Sequence, residues 1–165
     1  MAQTSFKGNP VNTAGELPSV GSSAPDFKVV GTDLSTVSLE NFAGKKVVIN
    51  VFPSVDTGVC ALQLKAFNEK LADKEDVALL FVSVDLPFAF KRFCGDEGVE
   101  KAITASDFRD QSFANAYGLK LVDGPLEGLL TRAVIVLDES HKITYSELVS
   151  EITHEPNYDA AMAAL

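Results

Sequence analysis

The sequence predicts an α/β domain in which a central mixed sheet carries helices on both faces. Three segments, Val47–Phe52, Val77–Val84 and Ala133–Leu137, are nearly continuous in Val, Ile, Leu and Phe. Strands of this composition are typical of the middle of a sheet that is covered on both faces. Between the first two segments, Gly58–Leu71 carries apolar residues on one helical face. Strand, helix and strand in this order predict a βαβ unit.

Length and composition indicate a single domain over residues 1–165. The chain is 46% hydrophobic and 22% charged, which excludes disorder, collagen and coiled coil. Its net charge of -9 would repel nucleic acid and anionic membranes. No apolar segment approaches the ~18 residues that a membrane-spanning helix needs. We therefore expect neither a nucleic-acid partner nor a membrane.

The first residues predict a small N-terminal β-hairpin. Thr4–Phe6 and Val11–Thr13 flank the turn residues Gly8-Asn9-Pro10. Residues 14–25 are rich in Gly, Ser and Pro and predict a connecting loop. Residues 1–10 lack the apolar segment and cleavage site of a secretory signal, so we expect a cytoplasmic protein.

Shorter elements are expected along the rest of the chain. The strands are Asp26–Gly31, Thr36–Leu39 and Lys142–Glu147, and the helices are Phe88–Phe93, Ser112–Tyr117 and Asn157–Leu165. Lys142–Glu147 alternates and should pair antiparallel with Ala133–Leu137. Pro87 suits a first helical turn and Gly118 suits a helix end. Asp85 is expected to cap the turn after the second buried strand.

The two cysteines, Cys60 and Cys94, lie 34 residues apart. The sequence has no CxxC, which excludes a zinc ribbon and a thioredoxin-type dithiol. The phosphate-binding patterns GxxxxGK and GxGxxG and the hydrolase elbow GxSxG are also absent. In a reducing compartment, two such thiols are often unrelated buried residues, so their surroundings must decide whether they act together.

Cys60 lies where the first buried strand gives way to the predicted helix. Pro53 ends the strand because it cannot continue a central ladder, and Thr57, with Asp56 as a rival, suits the N-cap. Cys60 then lies in the first turn, where free N–H groups and the helix dipole favour a reactive thiolate. An inert cysteine packed beneath Phe67 remains the alternative from these residues.

Cys94 and Arg132 are the other candidates. Charged residues, Gly95 and Gly98 flank Cys94, so we expect it near the end of a short, exposed helix that opens at low cost. A surface thiol without a role and a fixed structural disulfide are the alternatives. Arg132 directly precedes a buried strand and needs an anionic partner, which is either an ordinary carboxylate or the Cys60 thiolate.

These residues together carry a resemblance to a known family. Pro53-x-x-x-Thr57-x-x-Cys60 matches the peroxiredoxin signature Pro-x-x-x-Thr/Ser-x-x-Cys. The string from Phe52 to Cys60, with a second cysteine 34 residues on, resembles the thiol peroxidase subfamily, an atypical two-cysteine group. The similarity covers nearly the whole chain. Further matching strings are Asp85-Leu86-Pro87-Phe88-Ala89, Arg92-Phe93-Cys94-Gly95, Ala116-Tyr117-Gly118, Asp123-Gly124-Pro125-Leu126 and Thr131-Arg132-Ala133.

The resemblance implies a thioredoxin fold of the peroxiredoxin type and a peroxidase without metal, haem, flavin or other cofactor. By motif position, Cys60 is the peroxidatic cysteine and Cys94 the resolving one. Thr57 would hold the peroxide through its hydroxyl, Pro53 would shield the thiolate from solvent, and Arg132 would stabilise it.

The implied enzyme reduces hydrogen peroxide and organic hydroperoxides to water or alcohols. It would pass through a Cys60 sulfenic acid and an intramolecular Cys60–Cys94 disulfide. The resemblance further implies thioredoxin as the reductant and a homodimer. The alternative is a thiol–disulfide oxidoreductase of the same fold without peroxidase activity, although such an enzyme normally carries CxxC.

Overall fold

The computed structural model describes residues 1–97 and 102–165, and the side chains of 95–97 lie outside that description, as does Gly98. The chain begins with a hairpin of β1 (Gln3–Phe6) and β2 (Asn9–Asn12). The hairpin is confirmed, but its predicted turn is wrong: the turn is Lys7-Gly8, with φ of 51° and 82°. Two residues with positive φ form the tight turn that suits a hairpin, so the next two residues enter the strand.

The other seven strands form one mixed sheet, as predicted. They are β3 (Val29–Gly31), β4 (Thr36–Val37), β5 (Lys46–Val51), β6 (Val77–Ser83), β7 (Ala102–Ser106), β8 (Ala133–Leu137) and β9 (Ile143–Leu148). Their order across the sheet is β4-β3-β7-β6-β5-β8-β9. β6 pairs in parallel with β5 and with β7, and the other neighbours are antiparallel. The ends of β5 and β6 that lead into the next segments therefore lie at the same edge.

Helices cover both faces of this sheet. They are α1 (Gly58–Leu71), α2 (Pro87–Glu97), α3 (Ser112–Tyr117) and α4 (Tyr158–Ala163), and Leu39–Phe42 forms a 3₁₀ turn. Buried residues of α1, α2 and α4 pack on one face, while α3 and the 3₁₀ turn pack on the other. Along β5, Val47, Ile49 and Val51 join the α3 side and Val48 joins the α1 side. No helix described here is long and apolar enough to cross a membrane.

Some predicted boundaries differ from the observed ones. The segment from Asp26 becomes a strand only at Val29, because the Asp26 carboxylate accepts hydrogen bonds from the backbone N–H groups of Phe27 and Leu39. The strand predicted to reach Leu39 stops at Val37, because the backbone N–H of Leu39 donates to Asp26 rather than to a neighbouring strand. The helix after residue 86 continues beyond its predicted end to Glu97.

The strand β7 (Ala102–Ser106) is not predicted from the sequence, because it reads Ala-Ile-Thr-Ala-Ser and contains only one large apolar residue. Intrinsic strand preference is weak for such a segment. Its register with β6, from Leu79 opposite Ala102 to Ser83 opposite Ser106, supplies the pairing that the sequence does not reveal. This strand matters because it forms the wall against which Cys94 packs.

Candidate active site

The turn between β5 and α1 places Cys60 as the sequence predicts. Thr57 has extended backbone angles at the N-cap of α1, and Cys60 is the third residue of the helix. Only 1% of the Cys60 side chain is exposed. Its thiol therefore lies in the first helical turn, beside backbone N–H groups that have no partner within the helix.

The Thr57 side chain does not cap the helix, which corrects the predicted capping role. Its hydroxyl Oγ1 lies 2.7 Å from Cys60 Sγ and 3.0 Å from the carbonyl oxygen of Ser54. A hydroxyl has one proton to donate. When Cys60 is a thiolate, Thr57 can donate to the sulfur. When Cys60 is a thiol, it can donate to Thr57 Oγ1, while Thr57 donates to the Ser54 carbonyl.

Arg132 contacts the same sulfur. Its side chain is 2% exposed, and its Nη1 lies 3.4 Å from Cys60 Sγ and 2.9 Å from Oε1 of Gln63. Its Nε donates to the carbonyl oxygen of Ile152 at 2.8 Å. The sequence left a carboxylate and the Cys60 sulfur as alternative partners, and the fold selects the sulfur. The guanidinium therefore brings a hydrogen-bond donor and a permanent positive charge to the sulfur.

Two residues of the site were not identified from the sequence. Gln63, one helical turn after Cys60, is fully buried and bonds to Arg132. Asp85 was predicted to cap the turn after β6, and that prediction is wrong. Its carboxylate instead accepts hydrogen bonds from Ser54 Oγ at 2.8 Å and Val55 N at 2.9 Å. The available signals were helical spacing for Gln63 and, for Asp85, its position just after a strand parallel to β5.

A cavity of about 180 Å³ lies beside Thr57 and Arg132, the two residues that contact the Cys60 sulfur, although Cys60 itself does not line it. Pro53, Thr57 and Arg132 line it together, so the structure brings these three predicted residues to one place. The remaining lining is mainly apolar and includes Phe6 of the hairpin, Val59, Leu126, Leu129 and Ile152. Thr57 and Arg132 both contact Cys60 Sγ, so the cavity wall and the surroundings of the buried sulfur share these two residues.

Cys94 lies on α2 and makes none of the described contacts with the Cys60 sulfur, and both cysteines are free thiols. Its side chain is half-buried rather than exposed, which corrects the expectation from the sequence, and Sγ lies 3.7 Å from Thr104 Oγ1 of β7. Burial raises the pKa of the Cys94 thiol, and the Thr104 hydroxyl opposes that shift. An exposed ion pair, Arg92 with Asp56 at 3.0 Å, joins α2 to the turn before Cys60.

These surroundings predict different reactivities for the two thiols. At about pH 6, iodoacetamide should alkylate Cys60 faster than Cys94. The raised pKa keeps the Cys94 thiol protonated, whereas Arg132 and Thr57 can both donate hydrogen bonds to the Cys60 sulfur. Peptide mapping after timed quenching measures each thiol separately. The opposite order of rates would contradict the assignment of Cys60 as the activated thiol.

Comparison with known proteins gives concordant results. Residues 19–162 match the family model described as Redoxin. A thiol peroxidase of Mycobacterium tuberculosis is 53% identical over 165 residues, which covers 100% of this chain and 99% of the relative, and a thiol peroxidase of Mycobacterium bovis matches to the same extent.

Solved structures agree with these relatives. A peroxiredoxin-like protein from Aquifex aeolicus has a TM-score of 0.93 and 41% identity, covering 99% of this chain and 96% of that one. A thiol peroxidase from Chromobacterium violaceum has a TM-score of 0.91 and 23% identity, covering 98% of this chain and 93% of that one. At so low an identity, the second match speaks for the fold alone.

Proposed function

Because this chain belongs to the redoxin family and is a thiol-dependent peroxidase of the thiol peroxidase type, we propose that Cys60 is the residue that attacks the peroxide. The observation that carries this proposal is the Cys60 sulfur, held between the Thr57 hydroxyl and the Arg132 guanidinium beside a cavity. The expected thioredoxin fold is confirmed by the family match and by the mixed sheet.

In the first step, the Cys60 thiolate attacks one oxygen of the peroxide and the O–O bond breaks. Cys60 becomes a sulfenic acid, and the second oxygen leaves as an alkoxide or hydroxide that takes up a proton to become alcohol or water. The Thr57 hydroxyl places the peroxide, and Arg132 receives charge on the leaving oxygen. Pro53, on the cavity wall, keeps water from the thiolate.

The cavity supports a role for organic hydroperoxides as well as hydrogen peroxide. Both substrates need the Thr57 hydroxyl and the Arg132 guanidinium, whereas Phe6, Leu126 and Ile152 offer apolar contact only to the alkyl group of an organic hydroperoxide. Burial of such a group contributes roughly 25 cal/mol per Å² of apolar surface. We therefore include both substrates in the proposed activity.

In the second step, Cys94 attacks the sulfenic sulfur of Cys60, water leaves, and an intramolecular disulfide forms. A disulfide needs Cα atoms about 4.4–6.8 Å apart. Cys60 begins as a buried helical residue and Cys94 as a separate thiol against β7. We infer that the turn around Cys60, α2, or both rearrange before the two sulfurs bond, and that the Arg92–Asp56 ion pair between them loosens.

Thioredoxin is the proposed reductant, and it would restore both thiols by exchange through a mixed disulfide. We also propose a homodimer, for which the exposed side chains of Leu86 and Phe88 offer apolar area to cover. The proposed location is the cytoplasm, where a thiol reductant would return Cys60 and Cys94 to the free form after each turnover.

A coupled assay tests this function. With thioredoxin, thioredoxin reductase and NADPH, the wild-type protein should consume NADPH only when hydrogen peroxide or cumene hydroperoxide is present. The Cys94→Ser variant should lose this turnover, because thioredoxin then has no Cys60–Cys94 disulfide to reduce. Reduction of insulin disulfides without any response to peroxide would instead identify the alternative thiol–disulfide oxidoreductase.

A further inference from the structure

A buried network of hydrogen-bonded polar side chains extends behind the Cys60 sulfur into the sheet. Asn50 lies on the central strand β5 and is fully buried, as is Gln63 on α1. The Nε2 group of Gln63 donates to Asn50 Oδ1 at 2.9 Å. Gln63 Oε1 accepts from Arg132 Nη1 at 2.9 Å, and the same nitrogen lies 3.4 Å from the Cys60 sulfur.

The donor and acceptor of every hydrogen bond in this network are determined by the Arg132 guanidinium. A guanidinium only donates, so Gln63 must present its oxygen to Arg132 and its nitrogen to Asn50. Asn50 must then present its oxygen to Gln63. This leaves Asn50 Nδ2 buried and without a hydrogen-bond partner in the described part of the chain.

An unpartnered amide in a central strand is unfavourable for folding. The neighbouring positions Val48, Ile49 and Val51 are all apolar and buried, so an apolar residue at position 50 would suit the sheet better. Asn50 therefore lowers the stability of the fold, and its one described side-chain hydrogen bond, to Gln63, is the reason we consider for its presence. That contact fixes which end of the Gln63 amide faces Arg132.

We propose that Asn50 is a positioning residue for the peroxidase reaction and acts through Gln63 to hold Arg132 at the Cys60 sulfur. The inference rests on the proposed role of Cys60. Without the Asn50 oxygen, the Gln63 amide loses the partner that fixes its orientation, and Arg132 keeps only its Nε bond to the Ile152 carbonyl as a fixed anchor. The guanidinium can then move relative to the sulfur and the bound peroxide.

The main test substitutes Asn50→Leu, which keeps a similar volume and removes both polar groups. The rate of Cys60 oxidation by hydrogen peroxide should fall about 10-fold, since small misplacements in an active site cost one to two orders of magnitude. Alkylation of Cys60 at about pH 6 should slow as well, while the melting temperature should stay close to that of the wild type, because the substitution removes the unpartnered Asn50 Nδ2 but leaves Gln63 Nε2 without its acceptor. Asn50→Asp, which keeps an acceptor for Gln63, should restore the oxidation rate to within about 3-fold of the wild type.

A matched control is Asn68→Leu on α1. Asn68 also carries a buried amide atom, Oδ1, that has no partner among the described residues, and no described hydrogen bond joins it to Asn50, Gln63 or Arg132. This control should oxidise at the wild-type rate. In a Gln63→Leu background, Asn50→Leu should cause no further loss, because the link through which it acts is already missing.

Three results would overturn the inference. The first is an Asn50→Leu variant that oxidises at the wild-type rate. The second is a full additional loss in the Gln63→Leu background. The third is equal loss in Asn50→Asp together with a lower melting temperature, which indicates a structural role. If Asn50→Leu does not fold, Asn50→Val is judged by the same criteria. A wild-type protein whose Cys60 is not oxidised at all would overturn the proposed function itself, and this inference with it.

Discussion

The Cys60→Ser variant should show no peroxide-dependent turnover and no uptake of oxygen at its active site. A serine hydroxyl is not ionised near neutral pH, so the Thr57 and Arg132 contacts have no thiolate to stabilise. The measurement is peroxide consumption over many equivalents, followed by peptide mapping for oxidised products.

Cys94→Ser is the matched control because it removes the other thiol by the same chemical change. It should consume only the few equivalents that take Cys60 to a sulfenic acid and then over-oxidise it, because its Cys60 can be oxidised but not resolved. Sustained turnover by Cys60→Ser, or no oxidation at all in Cys94→Ser, would reverse the assigned roles of the two cysteines.

The Arg132→Lys variant should oxidise Cys60 more slowly by a factor on the order of 100, as for the loss of one preorganised electrostatic donor. Lysine keeps the charge, but it lacks the planar set of donors that reaches Cys60 Sγ, Gln63 Oε1 and the Ile152 carbonyl together. Stopped-flow measurement of the oxidation rate isolates this step from recycling.

Arg92→Lys provides the control for arginine-to-lysine exchange. The Arg92 side chain is 57% exposed in its ion pair with Asp56, and exposed pairs contribute little. Its rate of Cys60 oxidation should stay within about 3-fold of the wild type. An Arg132→Lys variant as fast as Arg92→Lys would assign Arg132 a structural role only.

The sequence was sufficient for the elements that carry strong local signals. The bounds of α1, α3 and β8 were predicted correctly, because apolar periodicity, N-cap residues, Gly118 and an apolar segment mark them. The strand β7 was missed because its stability comes from pairing with β6 rather than from its own residues. The half-burial of Cys94 was missed for the same reason, since β7 supplies its neighbour Thr104.

The site shows the same division between local and long-range information. The position of Cys60 in a first helical turn follows from residues within one segment. The partner of Arg132 remained open in the sequence because 72 residues separate it from Cys60, and only the pairing of β5 with β8 brings them together. The contacts of Asp85 with Ser54 and Val55 likewise depend on two strands ending at one edge.

The most direct test of the two-cysteine mechanism is mass spectrometry of the reduced protein after one equivalent of hydrogen peroxide. The wild type should lose two hydrogen atoms and yield a peptide pair joined between Cys60 and Cys94 of one chain, while Cys94→Ser should gain one oxygen atom on Cys60. A wild-type product with oxygen on Cys94, or with disulfides only between chains, would contradict the mechanism.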